Sequence, residues 1–324
     1  MKLHQLRYLV EIVAQNQNIS RAAESLCTSQ SGISKQIKLL EEELHLSLFQ
    51  RRGKNLIGLT AAGQEIHQAA MRLLKNAENI MQIAREHNGH SGALVVATTH
   101  TQARYVLPYV VERFIRQYPE VHLHLQQGNP NQIARFLIDG KADIAIATEA
   151  LEQCEELITM PCYRWSRSII VRQDHPLCRL QGMTLQEIAK YPIVTYALGF
   201  TGRYKVDEAF AAQGLRPNIV LTAVDADVIK TYVRLGLGVG IIANMALNAG
   251  ADGDLQAMPA KHLFGVSTTH IAFKKDLYIR KSLFRFIEMF APHLTERVIE
   301  QAIACNGNAG SRKKLFQGIT LPVY

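Results

Sequence analysis

Two sets of residues in this 324-residue chain have the types and spacing to do chemistry. The first gathers at Thr99-His100-Thr101-Gln102, where the apolar run Leu94-Val95-Val96 hands over to an amphipathic stretch. Threonine hydroxyls, a carboxamide and free backbone N–H groups at a strand-to-helix junction lie at the positive end of the helix dipole. Such a junction can hold a small anion without a formal positive charge. Threonine in that place also caps helices by accepting one of their free N–H groups, so both readings stand. Thr148 ends the run "ADIAIAT", and Phe200-Thr201-Gly202 opens another helical pattern. In open α/β sheets, ligands sit beyond the carboxyl ends of the strands. Thr99, Thr101, Gln102, Thr148, Thr201 and Gly202 are therefore the candidate set for a small, acceptor-rich, anionic ligand.

The second set lies in the first sixty residues. Ser29, Gln30, Ser31, Ser34, Lys35 and Lys38 share the polar face of a helical stretch whose other face carries Ile33, Ile37, Leu40 and Leu44. Glutamine can pair with an adenine edge, serine donates or accepts with several bases, and lysine neutralises phosphate. Arg51, Arg52 and Lys54 surround Gly53 between two short extended runs, which suits a basic hairpin beside that helix. A net charge of +8 agrees with an anionic partner. Double-stranded DNA is the partner expected.

Other chemistry lacks its context. Gly236-x-Gly238-x-Gly240 follows a helical pattern and precedes a strand pattern, the reverse of a dinucleotide-binding turn, so it reads as a helix stop. There is no GxSxG elbow and no GxxxxGK[ST] loop. His122 and His124 share a strand face with no further ligand at metal spacing. No nucleophile is assembled with a base, so neither an enzyme nor a metal or organic cofactor is expected. Five scattered cysteines read as reduced thiols. Without an apolar leader or a membrane-spanning run, the expected location is the cytoplasm.

These residues need elements to hold them. Leu3, Leu6, Leu9 and Val13 predict a helix from Leu3 to Ala14. A short helix follows, with Ser20 read as its cap, and then the Ser29-capped helix. From Thr60, Ile66, Ala70, Leu73, Ala77, Ile80 and Ala84 alternate at spacings of four and three, the seam of a helix that pairs with a second copy. "NGHSG" (Asn88–Gly92) is the linker. Beyond it strand and helix patterns alternate as βαβαβ, predicting a parallel sheet, with a helix over Gln102–Gln117 that contains Pro108. A second α/β block follows, with a capping box at Thr184 and Glu187 and a helix capped by Asp225 or Asp227. "THIAFKKD" then returns to the first block. The expected domains are a DNA-binding domain over 1–59, a dimerisation helix over 60–88 and a ligand-binding region over 92–324. That region has lobe I at about 92–162 and 267–295, lobe II at about 163–266, and a tail over 296–324 with no assigned role.

"SRAAESLCTSQSGISKQIKLLEEELHLSLFQRR…LTAAG", "ATTHTQARYVLP", "ADIAIATEAL", "VTYALGFTGR" and "TAVDADVIKTYVRLGLGVGIIA" together resemble the LysR-type transcriptional regulators, over essentially the whole chain. The resemblance implies a winged helix-turn-helix, a long dimerisation helix and a two-lobed α/β effector domain like that of periplasmic binding proteins. It implies a homotetramer of paired dimers that binds promoter DNA and works with RNA polymerase. The closest motifs are those of members that activate cysteine biosynthesis and sulfur assimilation, which implies N-acetylserine or a sulfate-like anion as effector on Thr99, Thr101, Gln102, Thr148 and Thr201. Two positions depart from the family pattern: Ser31 replaces a proline in the recognition helix, and His45 replaces a glycine after it. If His45 is left-handed it costs on the order of 1 kcal/mol. One alternative is a LysR-type regulator of another pathway with a different small anionic effector; the other is a solute-binding protein of the periplasmic type, which the N-terminal helices and the missing leader oppose.

Overall fold

The computed structural model describes the chain except for Lys54, residues 88–91, Gln181, Thr201, Ala249, Asp276 and residues 306–309 and 311–313. Two of the candidate residues, Lys54 and Thr201, and most of the expected linker thus lie outside the described residues. The chain forms two compact units, Met1–Gly89 and His90–Tyr324.

The first unit contains α1 (Leu3–Ala14), α2 (Ile19–Ser25), α3 (Gln30–Leu44), an antiparallel hairpin of β1 (Phe49–Arg52) and β2 (Asn55–Leu59), and α4 (Ala61–His87). Leu6, Leu9, Ile12, Ala22, Ala23, Ile33, Ile37, Leu40, Leu48, Phe49 and Ala70 close around one core. Ser20 is not the cap of α2. Asn16 and Gln17 are both left-handed, with φ of 52° and 61°, and turn the chain early. Asn18 therefore arrives in extended geometry and accepts the Arg21 N–H at 3.0 Å. Ser29 does cap α3, accepting the Gly32 N–H at 3.0 Å. At the start of α4 the Thr60 hydroxyl accepts the Gly63 N–H at 2.9 Å and donates to the Ser47 carbonyl at 2.7 Å.

The second unit is built from two sheets of the same plan. Lobe I begins with β3 (Ala93–Thr98), α5 (His100–Tyr105), α6 (Leu107–Gln117), β4 (His122–Gln127), α7 (Pro130–Ile138), β5 (Ile144–Thr148) and β6 (Leu157–Trp165). The chain crosses into lobe II at Ser166. There it forms β7 (Arg167–Arg172), α8 (Leu185–Ile188), β8 (Ile193–Tyr196), α9 (Arg203–Ala212), β9 (Ile219–Ala223), α10 (Ala226–Arg234), β10 (Val239–Ala243), β11 (Leu255–Pro259) and α11 (Lys261–Phe264). It returns as β12 (Ser267–Lys274), followed by α12 (Lys281–Phe290) and α13 (Glu296–Ala304). The strand orders are β4-β3-β5-β12-β6 and β11-β7-β10-β8-β9. In each sheet three neighbouring strands pair in parallel, as the βαβαβ pattern requires, and two further strands extend the other side through antiparallel pairings. The carboxyl ends of β3, β5, β8 and β10 thus open on the cleft where the lobes meet.

Several sequence expectations are corrected here. The helix expected over Gln102–Gln117 is two helices, broken at Val106, because Pro108 has no N–H and its ring displaces the preceding turn. Thr184 accepts the Glu187 N–H at 3.3 Å. Asp225, rather than Asp227, caps α10 through the Val228 N–H at 2.8 Å. Lobe II begins three residues later than expected, since Tyr163, Arg164 and Trp165 belong to the lobe I strand β6. The segment after residue 295 is not a plain tail: α13 buries Ile299 and Ala302 in the lobe I core.

Candidate nucleic-acid interface and effector cleft

On α3, Gln30, Ser31, Lys35 and Lys38 are exposed and Ser34 is half-buried, opposite the buried stripe of Ile33, Ile37 and Leu40. The helix therefore offers a carboxamide, hydroxyls and ammonium groups to solvent along one face. Ser29 is exposed, but its oxygen is committed to the cap, so it orders the first turn of α3. The helix ends at His45 in left-handed geometry, φ 53° and ψ 35°. Arg51 and Arg52 are exposed on β1, and the hairpin turns at Gly53.

Glu41, which no sequence motif marked, ties the hairpin to the helix. Its carboxylate accepts the Leu48 N–H at 2.8 Å, the Phe49 N–H at 3.3 Å and the Arg51 guanidinium at 2.9 Å. Arg51 is thus partly an anchor of the wing, while Arg52 makes no such tie among the described residues. Lys38 pairs loosely with Glu42 at 3.6 Å, on the solvent side.

In the cleft, Thr99 occupies the cap position of α5 yet makes no cap hydrogen bond with its side chain. Thr148, the last residue of β5, makes none either with the turn that follows it. Both hydroxyls are buried at the strand ends without serving the helix termini beside them. Thr101 and Gln102 are buried on α5. The Thr101 hydroxyl hydrogen-bonds the Tyr196 phenol across the cleft. The Gln102 carbonyl oxygen accepts the Tyr163 hydroxyl, and its amide donates to Thr269 Oγ1 at 3.4 Å. His100 Nδ1 is buried with no hydrogen-bond partner among the described residues. Thr99, Thr101, Gln102 and Thr148 are therefore brought together at one end of the lobe I sheet.

Lobe II contributes Gly202 and the residues around it. Gly202 is left-handed, φ +63°, at the start of α9, and a Cβ there would lie 2.0 Å from Arg167 Nη2. Only glycine fits both the backbone and the guanidinium behind it. Arg167 donates to the Gly202 carbonyl at 2.9 Å and to Ser267 Oγ at 3.2 Å, and stacks over the Trp165 ring at 4.8 Å. It is 1% exposed, a positive charge set into the base of the cleft. Burial pushes the Tyr196 phenol up to about 12, while hydrogen bonds from Ala243 and Thr101 oppose that rise. Burial likewise raises the Tyr163 hydroxyl, so both remain neutral donors near neutral pH.

Further contacts join the lobes. Tyr105 donates to Asp227 at 2.7 Å and Arg104 to the same carboxylate at 3.3 Å. Beside them Lys230, on α10, is buried against Asp252 at 3.0 Å. A cavity of about 880 Å³ lies along this ion network, lined by Arg104, Tyr105, Asp227, Lys230 and Arg234 among others.

Arg167, Tyr163, Tyr196 and Thr269 were not read from the sequence. The one signal was an arginine opening the apolar run "RSIIV", where a buried strand leaves little room for a charge. His122 and His124 are exposed on the edge strand β4, and no cluster of metal-binding side chains occurs among the described residues.

Residues 3–64 match the model of the bacterial regulatory helix-turn-helix proteins of the lysR family, and residues 87–295 match the LysR substrate binding domain. The chain is 52% identical to the HTH-type transcriptional regulator CysB of Haemophilus influenzae, over 99% of both chains. It is 50% identical to the HTH-type transcriptional regulator SsuR of Burkholderia cenocepacia, over 92% of this chain and 97% of that one. The crystal structure of the cofactor-binding domain of the Cbl transcriptional regulator superposes with a TM-score of 0.63 at 44% identity, covering 66% of this chain and 93% of that domain. With a winged helix-turn-helix, a long helix and a two-lobed effector domain in this order, the chain belongs to the LysR family of DNA-binding transcriptional regulators.

Proposed function

We propose that this regulator activates genes of cysteine biosynthesis and sulfur assimilation in the cytoplasm, as a homotetramer in contact with RNA polymerase, and that its effector is N-acetylserine or a sulfate-like anion. The pathway rests on identity to CysB along the whole chain. The effector class rests on one observation: buried, uncharged side chains of Thr99, Thr101, Gln102, Thr148 and Tyr196 gather from two lobes near the buried Arg167 guanidinium. Neutral donors beside a buried cation suit a small anion that must be bound and released. Its carboxylate or sulfate oxygens would accept from the α5 end, with lobe II closing over it. Binding then biases the tetramer only as far as the ligand prefers one arrangement of the lobes.

The test is fluorescence anisotropy on a cysteine-biosynthesis promoter fragment at several salt concentrations, with and without N-acetylserine or sulfate. Salt-sensitive specific binding that ligand redistributes supports the reading. Specific binding that neither ligand changes removes the effector assignment. The similar identity to SsuR favours a second reading, in which the same fold and cleft serve a different set of promoters. Genome-wide mapping of bound sites separates the two.

A further inference from the structure

We propose that Pro322–Tyr324 act as a positioning clip for the effector cleft, holding the crossing between the lobes and orienting Gln102 through Tyr163. The inference rests on the reading that this cleft binds the effector.

β6 is the last strand of the lobe I sheet, and its outer side would present unpaired backbone groups. The end of the chain covers that side. The Arg164 N–H donates to the Pro322 carbonyl at 2.8 Å, and the Tyr324 N–H donates to the Arg164 carbonyl at 2.8 Å. Val323 and Arg164 thereby form a parallel bridge. Two residues beyond Arg164, the Ser166 N–H reaches the Tyr324 carbonyl at 3.4 Å. Ser166 is the residue at which the chain passes from lobe I to lobe II. Its own carbonyl accepts the Asn244 N–H of lobe II at 2.9 Å. The crossing is therefore held by lobe II through Asn244 and by the clip through Tyr324.

A side-chain path runs from the clip into the cleft. The Tyr324 ring meets the Tyr163 ring edge-on, with centroids 4.8 Å apart and an angle of 75°. Tyr163 is buried, and its hydroxyl donates to the Gln102 carbonyl oxygen. Gln102 has to turn its amide toward a ligand's acceptors, and Tyr163 fixes which end of the carboxamide faces which way. Tyr324 packs against the ring that does this. Leu315 and Phe316 pack on the lobe I core and deliver the clip to its place.

The experiment uses the full chain, a deletion of residues 322–324, Tyr324→Ala and Tyr324→Phe. Sulfate and N-acetylserine affinities are measured by calorimetry, ligand-free DNA affinity by anisotropy, and amide exchange at Arg164 and Ser166 by mass spectrometry. The deletion and Tyr324→Ala should weaken sulfate binding about tenfold, the scale seen when partners of ligand-holding residues are lost at metal sites. Exchange at Arg164 and Ser166 should rise in the deletion. Tyr324→Phe should match the parent, because it keeps the ring, and ligand-free DNA affinity should stay constant throughout. A lower melting temperature with unchanged sulfate affinity would reduce the clip to packing and overturn the proposal. If the deletion does not fold, Tyr324→Ala decides by the same affinity. If the parent binds neither ligand, the effector reading fails separately. The clip is then judged on exchange and on emission from Trp165, the single tryptophan, which lies between Arg164 and Ser166. Unchanged exchange and emission in the deletion would overturn it, and changes in both would uphold the hold on the crossing.

Discussion

A threonine ahead of a helix ordinarily spends its oxygen on the helix, and Thr99 does not. Its hydroxyl, like that of Thr148, does not serve the helix beside it, while the Thr101 hydroxyl reaches the Tyr196 phenol across the cleft. Thr101→Ala should blunt the response to effector while ligand-free DNA binding is retained. Equal loss of both in anisotropy titrations would count against a cleft role. Gly202 is more demanding. Gly202→Ala places a Cβ 2.0 Å from Arg167 Nη2 on a left-handed backbone. The backbone alone costs on the order of 1 kcal/mol. The displaced guanidinium should lower effector affinity well beyond that, as calorimetry would show. Nearby, burial works against ionisation of Asp252, yet the Asn248 N–H, Lys230 and Arg234 hold its carboxyl below the usual range. Its contribution to stability is complete above the ordinary carboxylate pKa and is lost as pH falls through the lowered value. Asp252→Asn removes one of the two carboxylates on Lys230, which keeps Asp227 at 3.0 Å, and should cost about 1–3 kcal/mol at neutral pH. The difference from the parent should shrink in denaturant titrations as the pH is taken below the ordinary carboxylate pKa and through the lowered one. The placement of Thr99, Thr101, Gln102 and Thr148 at strand ends was legible in the sequence because strand ends can be read from apolar runs. Arg167, Tyr163 and Thr269 were not, because they come from strands remote in sequence from α5, and the Arg167 guanidinium finds its partners on Gly202 and Ser267, far along the chain.

Elements repeat the lesson where one residue decides an end. The capped, amphipathic helix α3 and the hairpin around Gly53 followed directly from period and turn chemistry. β6 was not foreseen, because its burial does not alternate and Pro161 interrupts it. Proline is tolerated there since β6 lies at the sheet edge, opposite a register shift in β12 between Thr269 and His270. The placement of Ser20 failed for a related reason: the left-handed pair Asn16 and Gln17 cannot be seen in a pattern of apolar residues. Glu41 is the element-scale finding with the clearest consequence. Glu41→Ala leaves the Leu48 N–H without its acceptor and frees Arg51, so the wing should lose its fixed position beside α3. We expect a stability loss of about 1–3 kcal/mol in the first unit. DNA affinity should fall in step, measured by chemical denaturation and anisotropy on the same samples. An intact wing, with unchanged affinity, would show that Arg52 and its neighbours position themselves. His45→Gly acts oppositely. It relieves the left-handed cost at φ 53° and should stabilise by up to about 1 kcal/mol, with no change in DNA sequence preference.

At the scale of the molecule, one copy of the chain leaves surfaces unsatisfied. Along α4, Ala70 is buried in the first unit, but Leu73, Ile80 and Met81 are exposed at 38%, 66% and 57%. Leu73 and Ile80 are seven residues apart in the seam read from the sequence, the spacing of one side of a helical pair. LysR-family members bind DNA as oligomers, and a two-fold pair of α3 helices needs a partner for α4. Placing a carboxylate in that seam should separate the copies without disturbing either unit's core, since Ile80 contributes to no described cluster. Ile80→Glu is therefore expected to shift sedimentation toward smaller species at a fixed concentration, with the melting of the effector domain unchanged. Because each copy then holds only one half-site, DNA affinity should drop steeply. The slope of log affinity against log salt should shrink toward the value for a single set of phosphate contacts. Sedimentation identical to the parent would mean that α4 lies against something other than its own copy, and the assembly would have to be sought on the effector domain instead.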